Sequence, residues 1–394
     1  MRILFTATSG WGHIHPMVPL ARAFVDRGDE VVWATGAEVC KRLEREGFQT
    51  AVAGLDEREA MAEFYRRFPE VQSLPPIQRG DFTFPRLFVN VRFGAMQAAL
   101  AALVATFPPE LVVCEAAELA GHLQAALLGV ASVTHSFGAL LPEPRVAAAA
   151  AEVAPLWRER GLAPRPYGGM YQRCYLDIYP PSLQPGDRPH VPKTQPLRPG
   201  SFATAGDEPL PGWLTSPAAL PLVYVTFGTV FSNEQALSNI VEAVRELPVR
   251  VVVTVGPKSD PAAMGAQPDH VHVARYIPQD QLLSHCAVVI SHGGSGTFLA
   301  ALAAAIPQLC VPQGADQFLN AAACERSGAG LVLQPGTVSV DSVRQAVRRL
   351  LTDGAFQAAA ARVGAEIAAM PTQGEVAERL HAELGGEQLR VLSP

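Results

Sequence analysis

The chain has 394 residues and a formal net charge of −6 at pH 7. This length exceeds what one hydrophobic core normally serves, so we expect two domains. The acidic balance offers phosphates no cluster of lysine and arginine, which argues against a nucleic-acid partner and favours a small-molecule substrate. No apolar run approaches the roughly 20 residues of a membrane span, so we expect a cytoplasmic protein without membrane insertion.

The first half of the chain alternates predicted strands and helices. A buried strand at residues 3–7 is followed by a glycine-containing loop, an amphipathic helix and a strand at residues 31–34. A second unit of this kind places strands at residues 111–114 and 131–134 around a helix rich in leucine and alanine. Such alternation requires a parallel sheet covered by helices on both faces.

The second half repeats the pattern after an irregular connection. Residues 180–221 are rich in proline and glycine and show no sustained period. Beyond them the predicted strands cover residues 222–227, 250–255, 270–274, 288–291 and 308–311. We therefore predict two Rossmann-like, doubly wound α/β domains that face a cleft. The first domain spans residues 1–205, a linker 206–220, the second domain 221–372, and a C-terminal helix within 373–394 crosses back to the first domain.

The loop after the first strand reads Gly10-Trp11-Gly12-His13-Ile14-His15-Pro16. Open α/β sheets bind ligands beyond the carboxyl ends of their strands, close to helix N-termini. A dinucleotide-binding loop would need glycine in place of His15, and a P-loop would need Gly-Lys-Ser/Thr. Both nucleotide interpretations fail, and the imidazole of His13 is left at the expected ligand position.

Two later segments also follow predicted strands. Residues 291–297 read Ser-His-Gly-Gly-Ser-Gly-Thr, and their glycines allow the backbone to approach a ligand closely. The hydroxyls of Ser295 and Thr297 and several N–H groups can bind phosphate oxygens, which predicts a diphosphate cradle. After the next strand, Asp316 and Gln317 offer acceptors and donors that suit sugar hydroxyls.

In combination these segments resemble the nucleotide-sugar-dependent glycosyltransferases of family 1 with the GT-B fold, especially the bacterial branch that decorates natural products such as polyketides and enediynes. The resemblance covers nearly the whole chain and is most specific from Arg275-Tyr276-Ile277-Pro278-Gln279 to Asp316-Gln317. Pro180-Pro181-Ser182-Leu183-Gln184 and Thr226-Phe227-Gly228-Thr229 also look like segments of that branch. The resemblance implies an inverting transfer from a dTDP- or UDP-sugar to a hydroxyl of a small apolar aglycone. It implies no cofactor and leaves a homodimer open.

The resemblance also implies roles for individual residues. His13 is the expected general base, and Glu115 is the carboxylate expected to hold its other ring nitrogen, where the family usually has aspartate. Glu118 is the alternative partner. The implied donor-binding residues are Gly12, Thr229, Tyr276, Ile277, His292, Gly293, Gly294, Ser295, Gly296, Thr297, Asp316, Gln317 and Asn320.

Within the donor site the resemblance divides the work among three groups of side chains. Tyr276 and Ile277 are expected against the nucleobase. His292, Ser295 and Thr297 are expected on the diphosphate with Asn320 as a further phosphate contact, and Asp316 and Gln317 on the sugar. Ala300 stands where relatives that use uridine donors often carry a glutamate that binds the ribose hydroxyls. This departure predicts a preference for dTDP-sugars.

The sequence indicates the acceptor-binding residues less clearly than the donor-binding residues. Two segments, residues 60–93 and 167–179, combine aromatic with polar residues and are candidates for an apolar acceptor pocket. The candidate pocket residues are Phe64, Phe82, Phe84, Phe88, Met170 and Tyr171.

Metal binding is an alternative interpretation of two His-x-His pairs, His13 with His15 and His270 with His272. Neither pair has cysteine or carboxylate companions at ligand spacing, and the chain lacks the Asp-x-Asp of metal-dependent transferases. We therefore expect no metal site. Competing functions are an epimerase or a lipid-carrier transferase of the same fold, and a non-catalytic partner protein.

Overall fold

A computed structural model describes residues 1–200, 212–215, 220–227, 234–256 and 259–391, with side chains to residue 384. These residues form two compact units. The first comprises Met1–Tyr179, Pro185–Gly200 and Met370–Pro394, and the second comprises Pro180–Gln184 and Ser201–Ala369.

The first unit contains a parallel sheet whose described strands run in the order β3-β2-β1-β4-β5-β6-β7. The strands are β1 (Arg2–Thr6), β2 (Glu30–Thr35), β3 (Gln49–Val52), β4 (Leu111–Glu115), β5 (Ala131–His135), β6 (Tyr175–Asp177) and β7 (Thr194–Pro196). Its α-helices are α1 (Trp11–Ile14), α2 (Val18–Asp26), α3 (Ala37–Arg45), α4 (Glu57–Arg67), α5 (Pro76–Thr83), α6 (Gly94–Thr106), α7 (Ala120–Leu128) and α8 (Glu143–Glu159). A π-helix, Phe84–Phe93, joins α5 to α6, and short 3₁₀ turns occupy Pro69–Ser73 and Pro166–Gly169.

The second unit repeats this plan with described strands in the order β10-β9-β8-β11-β12-β13. They are β8 (Leu222–Thr226), β9 (Arg250–Thr254), β10 (Val271–Ala274), β11 (Cys286–Ser291), β12 (Gln308–Cys310) and β13 (Gly330–Val332). The helices are α9 (Gly212–Thr215), α10 (Glu234–Arg245), α11 (Gln279–Leu283), α12 (Ser295–Ala303), α13 (Gln317–Ser327), α14 (Val340–Thr352) and α15 (Gly354–Ala369), with 3₁₀ turns at Pro181–Leu183 and Pro261–Met264. The last helix of the chain, α16 (Gln373–Val391), packs on α2 in the first unit.

Both faces of each sheet are buried, as parallel sheets require. In β8, Val223 and Val225 pack in one apolar cluster, while Leu222 and Tyr224 pack in a second cluster. Neighbouring residues of a strand point to opposite faces, so helices cover the sheet on both sides. The predicted fold class, two doubly wound α/β domains, is confirmed.

The boundaries of the units differ from the predicted ones because residues 180–184 bond to the second unit. The backbone N–H of Ser182 donates to Glu366 Oε1 at 2.9 Å, and Arg326 Nη2 donates to the Leu183 carbonyl at 3.2 Å. The predicted first domain, residues 1–205, therefore loses this segment. The chain returns to the first unit at Met370 rather than at residue 373, and there the Arg198 N–H donates to the Pro371 carbonyl at 2.8 Å.

One helical run is longer and more apolar than the sequence analysis allowed. Pro76–Thr106 is, by length and composition, able to cross a membrane, and it is the one such run among the described residues. In the structure Met96 and Leu100 of this run are buried in the core of the first unit, and Arg92 is 5% exposed. Part of the run is thus packed in the core of the first unit, while Ile77 near its start is exposed.

The chain order of the strands reverses direction once in each sheet. The reversal lies between β1 and β4 in the first unit and between β8 and β11 in the second. Loops at such a reversal diverge and leave a crevice at the carboxyl ends of the strands, where open α/β sheets bind ligands. The residues that follow these four strands are therefore the first candidates for a functional site.

Candidate active site

His13 lies in the one-turn helix α1 that follows β1, and Glu115 is the last residue of β4. Strands β1 and β4 are neighbours in register, with Thr6 beside Cys114. His13 Nδ1 consequently lies 2.9 Å from Glu115 Oε1. The Glu115 side chain is fully buried, whereas 23% of the His13 side chain is exposed.

The carboxylate controls the proton affinity of this imidazole. Burial alone would lower the pKa of His13, but the charge of Glu115 and its contact with Nδ1 outweigh burial and raise the pKa above 6.5. A proton on Nδ1 directed at the carboxylate leaves the lone pair on Nε2. His13 is therefore arranged to accept a proton at Nε2.

The second unit places His292 directly after β11, beside a glycine-rich turn. Gly293 has a φ of +78°, which an L side chain rarely adopts, and Gly294 is the N-cap of α12. A Cβ on Gly294 would lie 2.5 Å from His292 Nε2, so the missing side chain makes room for the ring. Burial lowers the pKa of His292, although Asp316 and the Thr226 backbone act in the opposite direction.

A buried network joins this turn to the start of α13. Ser295 Oγ donates to Asp316 Oδ2 at 2.7 Å, and Asn320 Nδ2 donates to Ser295 Oγ at 3.0 Å and to the Gly293 carbonyl at 2.8 Å. Ser295 is 7% exposed and Asn320 is fully buried. The network fixes the Asp316 carboxylate relative to the N-terminus of α12.

The chain is similar to several known proteins over nearly its whole length. Residues 238–383 match the family of the erythromycin biosynthesis protein CIII-like C-terminal domain. The L-demethylnoviosyl transferase of Streptomyces niveus is 33% identical to the chain, covering 97% of the chain and 98% of the relative. The structure of the glycosyltransferase SnogD from Streptomyces nogalater superposes with a TM-score of 0.77 at 29% identity, over 98% of this chain and 99% of SnogD. The spinosyn rhamnosyltransferase SpnG, solved with thymidine diphosphate, has a TM-score of 0.80 at 26% identity, over 97% and 100% of the two chains.

The chain belongs to the bacterial natural-product glycosyltransferases of the GT-B fold. The resemblance inferred from its motifs is confirmed. As a nucleotide-sugar-dependent glycosyltransferase it is an enzyme, so the non-catalytic and epimerase alternatives do not apply.

In this glycosyltransferase Glu118 has a structural role. Its two carboxyl oxygens accept from the backbone N–H groups of Ala120 at 2.6 Å and Gly121 at 2.9 Å, at the start of α7. Burial raises the pKa of Glu118 to about 7. Glu115, and not the alternative Glu118, is the carboxylate in contact with His13.

Two aromatic rings contact His13 from different elements. Phe88, from the π-helix, has its ring centroid 5.6 Å from that of His13, and Phe137, two residues beyond β5, lies at 4.8 Å. Phe84 stacks behind Phe88 at 5.1 Å. Phe88 and Phe84 were predicted acceptor residues, whereas Phe137 was missed. Its position after the strand next to β4 was the available signal.

The other predicted acceptor residues do not reach this place. Phe64, Met170 and Tyr171 are between 1% and 3% exposed and pack in apolar clusters of the first unit. The Phe82 ring is covered by Arg86, whose Cζ lies 3.9 Å from the ring centroid. The prediction that these four residues line an open pocket was therefore wrong. The composition of a segment does not show which of its apolar side chains pack in the core.

Two predicted donor ligands are also turned inward. Gln317 is 2% exposed, and its Oε1 accepts from the N–H groups of Gln313 at 2.7 Å and Gly314 at 3.1 Å. The buried Asn320 amide braces the Gly293 carbonyl as described. In the structure both side chains therefore hold these loops in shape, and the expected contacts of Gln317 with the sugar and of Asn320 with a phosphate stay predictions.

The remaining predicted donor residues of the second unit lie in α12 or in the loop that contacts it. Tyr276 is 58% exposed, Ile277 is buried, and Gln279 Nε2 donates to Thr297 Oγ1 at 3.2 Å, tying the Tyr276 loop to α12. Gly12 and Gly296 are exposed, and a Cβ on either would meet no protein atom within 4 Å. Thr229 lies outside the described residues.

The His-x-His pairs have partners other than a metal. His13 contacts Glu115, and the ring of His15 lies 5.2 Å from that of Trp11. His270 Nε2 lies 2.9 Å from the Arg245 carbonyl, and His272 stacks on Trp213 at 3.6 Å. Among the described residues no three His, Cys, Asp or Glu side chains converge as metal ligands.

Proposed function

We propose that this glycosyltransferase transfers a sugar from a dTDP-sugar to a hydroxyl of a small, largely apolar acceptor, with inversion and without a metal ion. The observation that carries the proposal is the contact of His13 Nδ1 with the buried Glu115 carboxylate at the strand reversal of the first unit. The names of similar proteins, a demethylnoviosyl transferase and a spinosyn rhamnosyltransferase, support sugar transfer to a natural-product aglycone.

The reaction requires one proton transfer and one displacement. The acceptor hydroxyl gives its proton to His13 Nε2 as its oxygen forms the new bond to the anomeric carbon. The bond from that carbon to the diphosphate oxygen breaks, and its electron pair leaves with dTDP. Glu115 stabilises the resulting imidazolium, and a positioned base of this kind contributes roughly 10²- to 10⁴-fold. Attack on the face opposite the leaving group inverts the anomeric configuration.

The departing diphosphate needs positive charge and hydrogen-bond donors. The N-terminus of α12, a helix of nine residues, supplies free N–H groups and about half a positive charge. The His292 ring lies against Gly294 at this helix N-terminus, and burial, which lowers its pKa, keeps the ring neutral. These groups support a transfer that needs no cation.

The nucleotide preference rests on Ala300. This residue is half-buried on α12 and packs against the apolar cluster that contains Ile277. An alanine cannot accept a hydrogen bond from a ribose 2′-hydroxyl, and deoxyribose lacks that hydroxyl. The solved complex of SpnG with thymidine diphosphate supports the same donor class.

A transfer assay tests the function directly. The enzyme is incubated in EDTA with dTDP-α-glucose and related α-linked dTDP-sugars and a set of phenolic and alcoholic acceptors. We expect a β-linked product, identified by mass and by its anomeric proton coupling, at an undiminished rate. Loss of turnover in EDTA that magnesium or manganese restores would contradict the metal-free proposal, and an α-linked product would contradict inversion.

Nucleotide specificity is tested by calorimetric titration of dTDP and UDP. One absent hydrogen bond to a charged acceptor is worth on the order of 1.5–3 kcal/mol, so dTDP should bind roughly tenfold more tightly or better. Ala300→Glu should shift the ratio towards UDP. Ala303→Glu, the same change at an exposed position of α12, is the matched control and should leave the ratio unchanged. Equal affinities in the unmodified enzyme would remove the argument.

A further inference from the structure

Arg92, in the π-helix, is a buried guanidinium close to His13 that the proposed transfer does not use. Its side chain is 7% exposed, and its Nη2 donates to Glu57 Oε2 at 2.5 Å. Its Nη1 contacts Ser9 Oγ at 3.4 Å, while its Nε has no hydrogen-bond partner among the described residues. Arg92 also lines a cavity of about 10 Å³, room for about one water molecule. Burying a guanidinium costs free energy that packing alone does not return, which indicates a function for its charge.

Both members of the Glu57–Arg92 ion pair lie near the His13 imidazole, Glu57 close to Gly10 and Arg92 close to Phe88. A Cβ on Gly10 would lie 2.8 Å from His13 Cδ2 and 3.7 Å from Glu57 Oε2, so the carboxylate and the imidazole both lie close to this residue. The Phe88 ring centroid is 5.6 Å from that of His13 and 5.8 Å from Arg92 Cζ. Both members of the ion pair are thus held next to the ring by rigid neighbours.

Three charged side chains face His13, each from a different element. Glu115 ends β4, Glu57 begins α4, and Arg92 lies in the π-helix. Glu115 raises the pKa of His13 most, Arg92 lowers it, and Glu57 raises it. Glu118 lines the same cavity as Arg92, but backbone amides hold both of its oxygens. The effects of Glu57 and Arg92 on His13 therefore oppose each other.

We propose that Glu57 and Arg92 form a positioning pair that acts through His13, in which each charge offsets the effect of the other on the pH range in which His13 accepts the proton of the acceptor hydroxyl. The inference rests on the base role of His13 given under the proposed function. Neither residue needs to touch a substrate. Because Glu57 is 45% exposed and Arg92 is buried, water screens the carboxylate more than the guanidinium.

The closing experiment is an NMR titration of the His13 imidazole without substrate, with the signal assigned by its loss in His13→Gln. Glu57→Gln leaves the guanidinium uncompensated and should lower the pKa of His13, so that its titration midpoint moves to lower pH. Arg92→Met should raise this pKa, and the midpoint of the double variant should lie between those of the two single variants. Arg92→Lys keeps the charge and should stay close to the unmodified value.

Glu63→Gln is the matched control, because Glu63 is on the same helix as Glu57 and pairs with Arg66. It should leave the His13 titration unchanged. If Arg92→Met fails to fold, the NMR titrations of Glu57→Gln, a change at a half-exposed position, and of the charge-preserving Arg92→Lys still test the proposal. An unmoved titration in Glu57→Gln, or shifts of the same sign in Glu57→Gln and Arg92→Met, would overturn the proposal.

The pH dependence of kcat/KM, measured on the same variants, separates this inference from the proposed function. An acid limb that follows the NMR shifts supports both. NMR shifts without any change of the acid limb would support the coupling of the ion pair to His13 and contradict His13 as the base.

Discussion

Each unit places a histidine at the strand reversal of its sheet, and the pKa values of the two histidines shift in opposite directions. His13 follows β1 and His292 follows β11, each at the strand reversal of its sheet. Each ring lies against a glycine, His13 against Gly10 and His292 against Gly294. Yet the pKa of His13 is raised and that of His292 is lowered.

The difference arises from the nearest carboxylate. Glu115 presents Oε1 to His13 at 2.9 Å, which more than offsets the effect of burial. The carboxylate that raises the pKa of His292 is that of Asp316, whose Oδ2 accepts hydrogen bonds from Ser295 and Asn320. Burial has the larger effect, so the pKa of His292 is lowered. The same side chain thus has a raised pKa in one unit and a lowered pKa in the other, which is consistent with the proposed role of His13 as a base.

Removing each imidazole should separate the two roles. His13→Ala should lose roughly 10²- to 10⁴-fold in kcat while dTDP affinity stays the same, because only the base is removed. His292→Ala should weaken dTDP binding as well as turnover. Steady-state kinetics and calorimetric titration of both variants measure the contrast. Unchanged turnover in His13→Ala, or weakened dTDP binding in that variant, would contradict the division.

The glycines beside the two rings offer a smaller perturbation. In Gly10→Ala the new Cβ would lie 2.8 Å from His13 Cδ2, so the imidazole must move, and a displacement approaching 1 Å costs up to about 10²-fold in rate. We expect kcat to fall roughly 10-fold or more. Gly294→Ala, with its Cβ 2.5 Å from His292 Nε2, should instead weaken donor binding.

Gly12→Ala and Gly296→Ala are the controls for this pair. Their new Cβ atoms would meet no protein atom within 4 Å, so both variants should keep the stability of the parent enzyme. Any rise in the KM for the donor would then report contact with the donor itself. Full activity in Gly10→Ala would show that catalysis does not depend on the observed position of the His13 ring.

The sequence could predict the parts of the site that follow from chain order. His13 follows the first strand and Glu115 ends a strand that joins it in the sheet, so a parallel α/β fold brings them together. The glycine-rich turn before α12 was equally predictable from the sequence, whereas its role as a diphosphate cradle stays a prediction.

The sequence could not predict equally well which side chains point towards His13 and which point into the core. A π-helix does not follow the 3.6-residue period, so the sequence could not show that Phe88 and Arg92 lie near His13 while Phe64 lies in the core. The unit boundary depends on hydrogen bonds between Ser182 and Glu366, which are 184 residues apart, and local composition carries no sign of them.

The central claim is that Glu115 makes His13 the base, and the pH dependence of kcat/KM tests it most directly. Because only neutral His13 accepts a proton and its pKa is raised, the acid limb in the unmodified enzyme should titrate above pH 6.5. Glu115→Gln removes the charge that raises this pKa and leaves burial, which lowers it. The account predicts that the acid limb moves to lower pH and that the plateau falls, since the base is weaker. An acid limb at the same pH in Glu115→Gln, with the plateau unchanged, would contradict it.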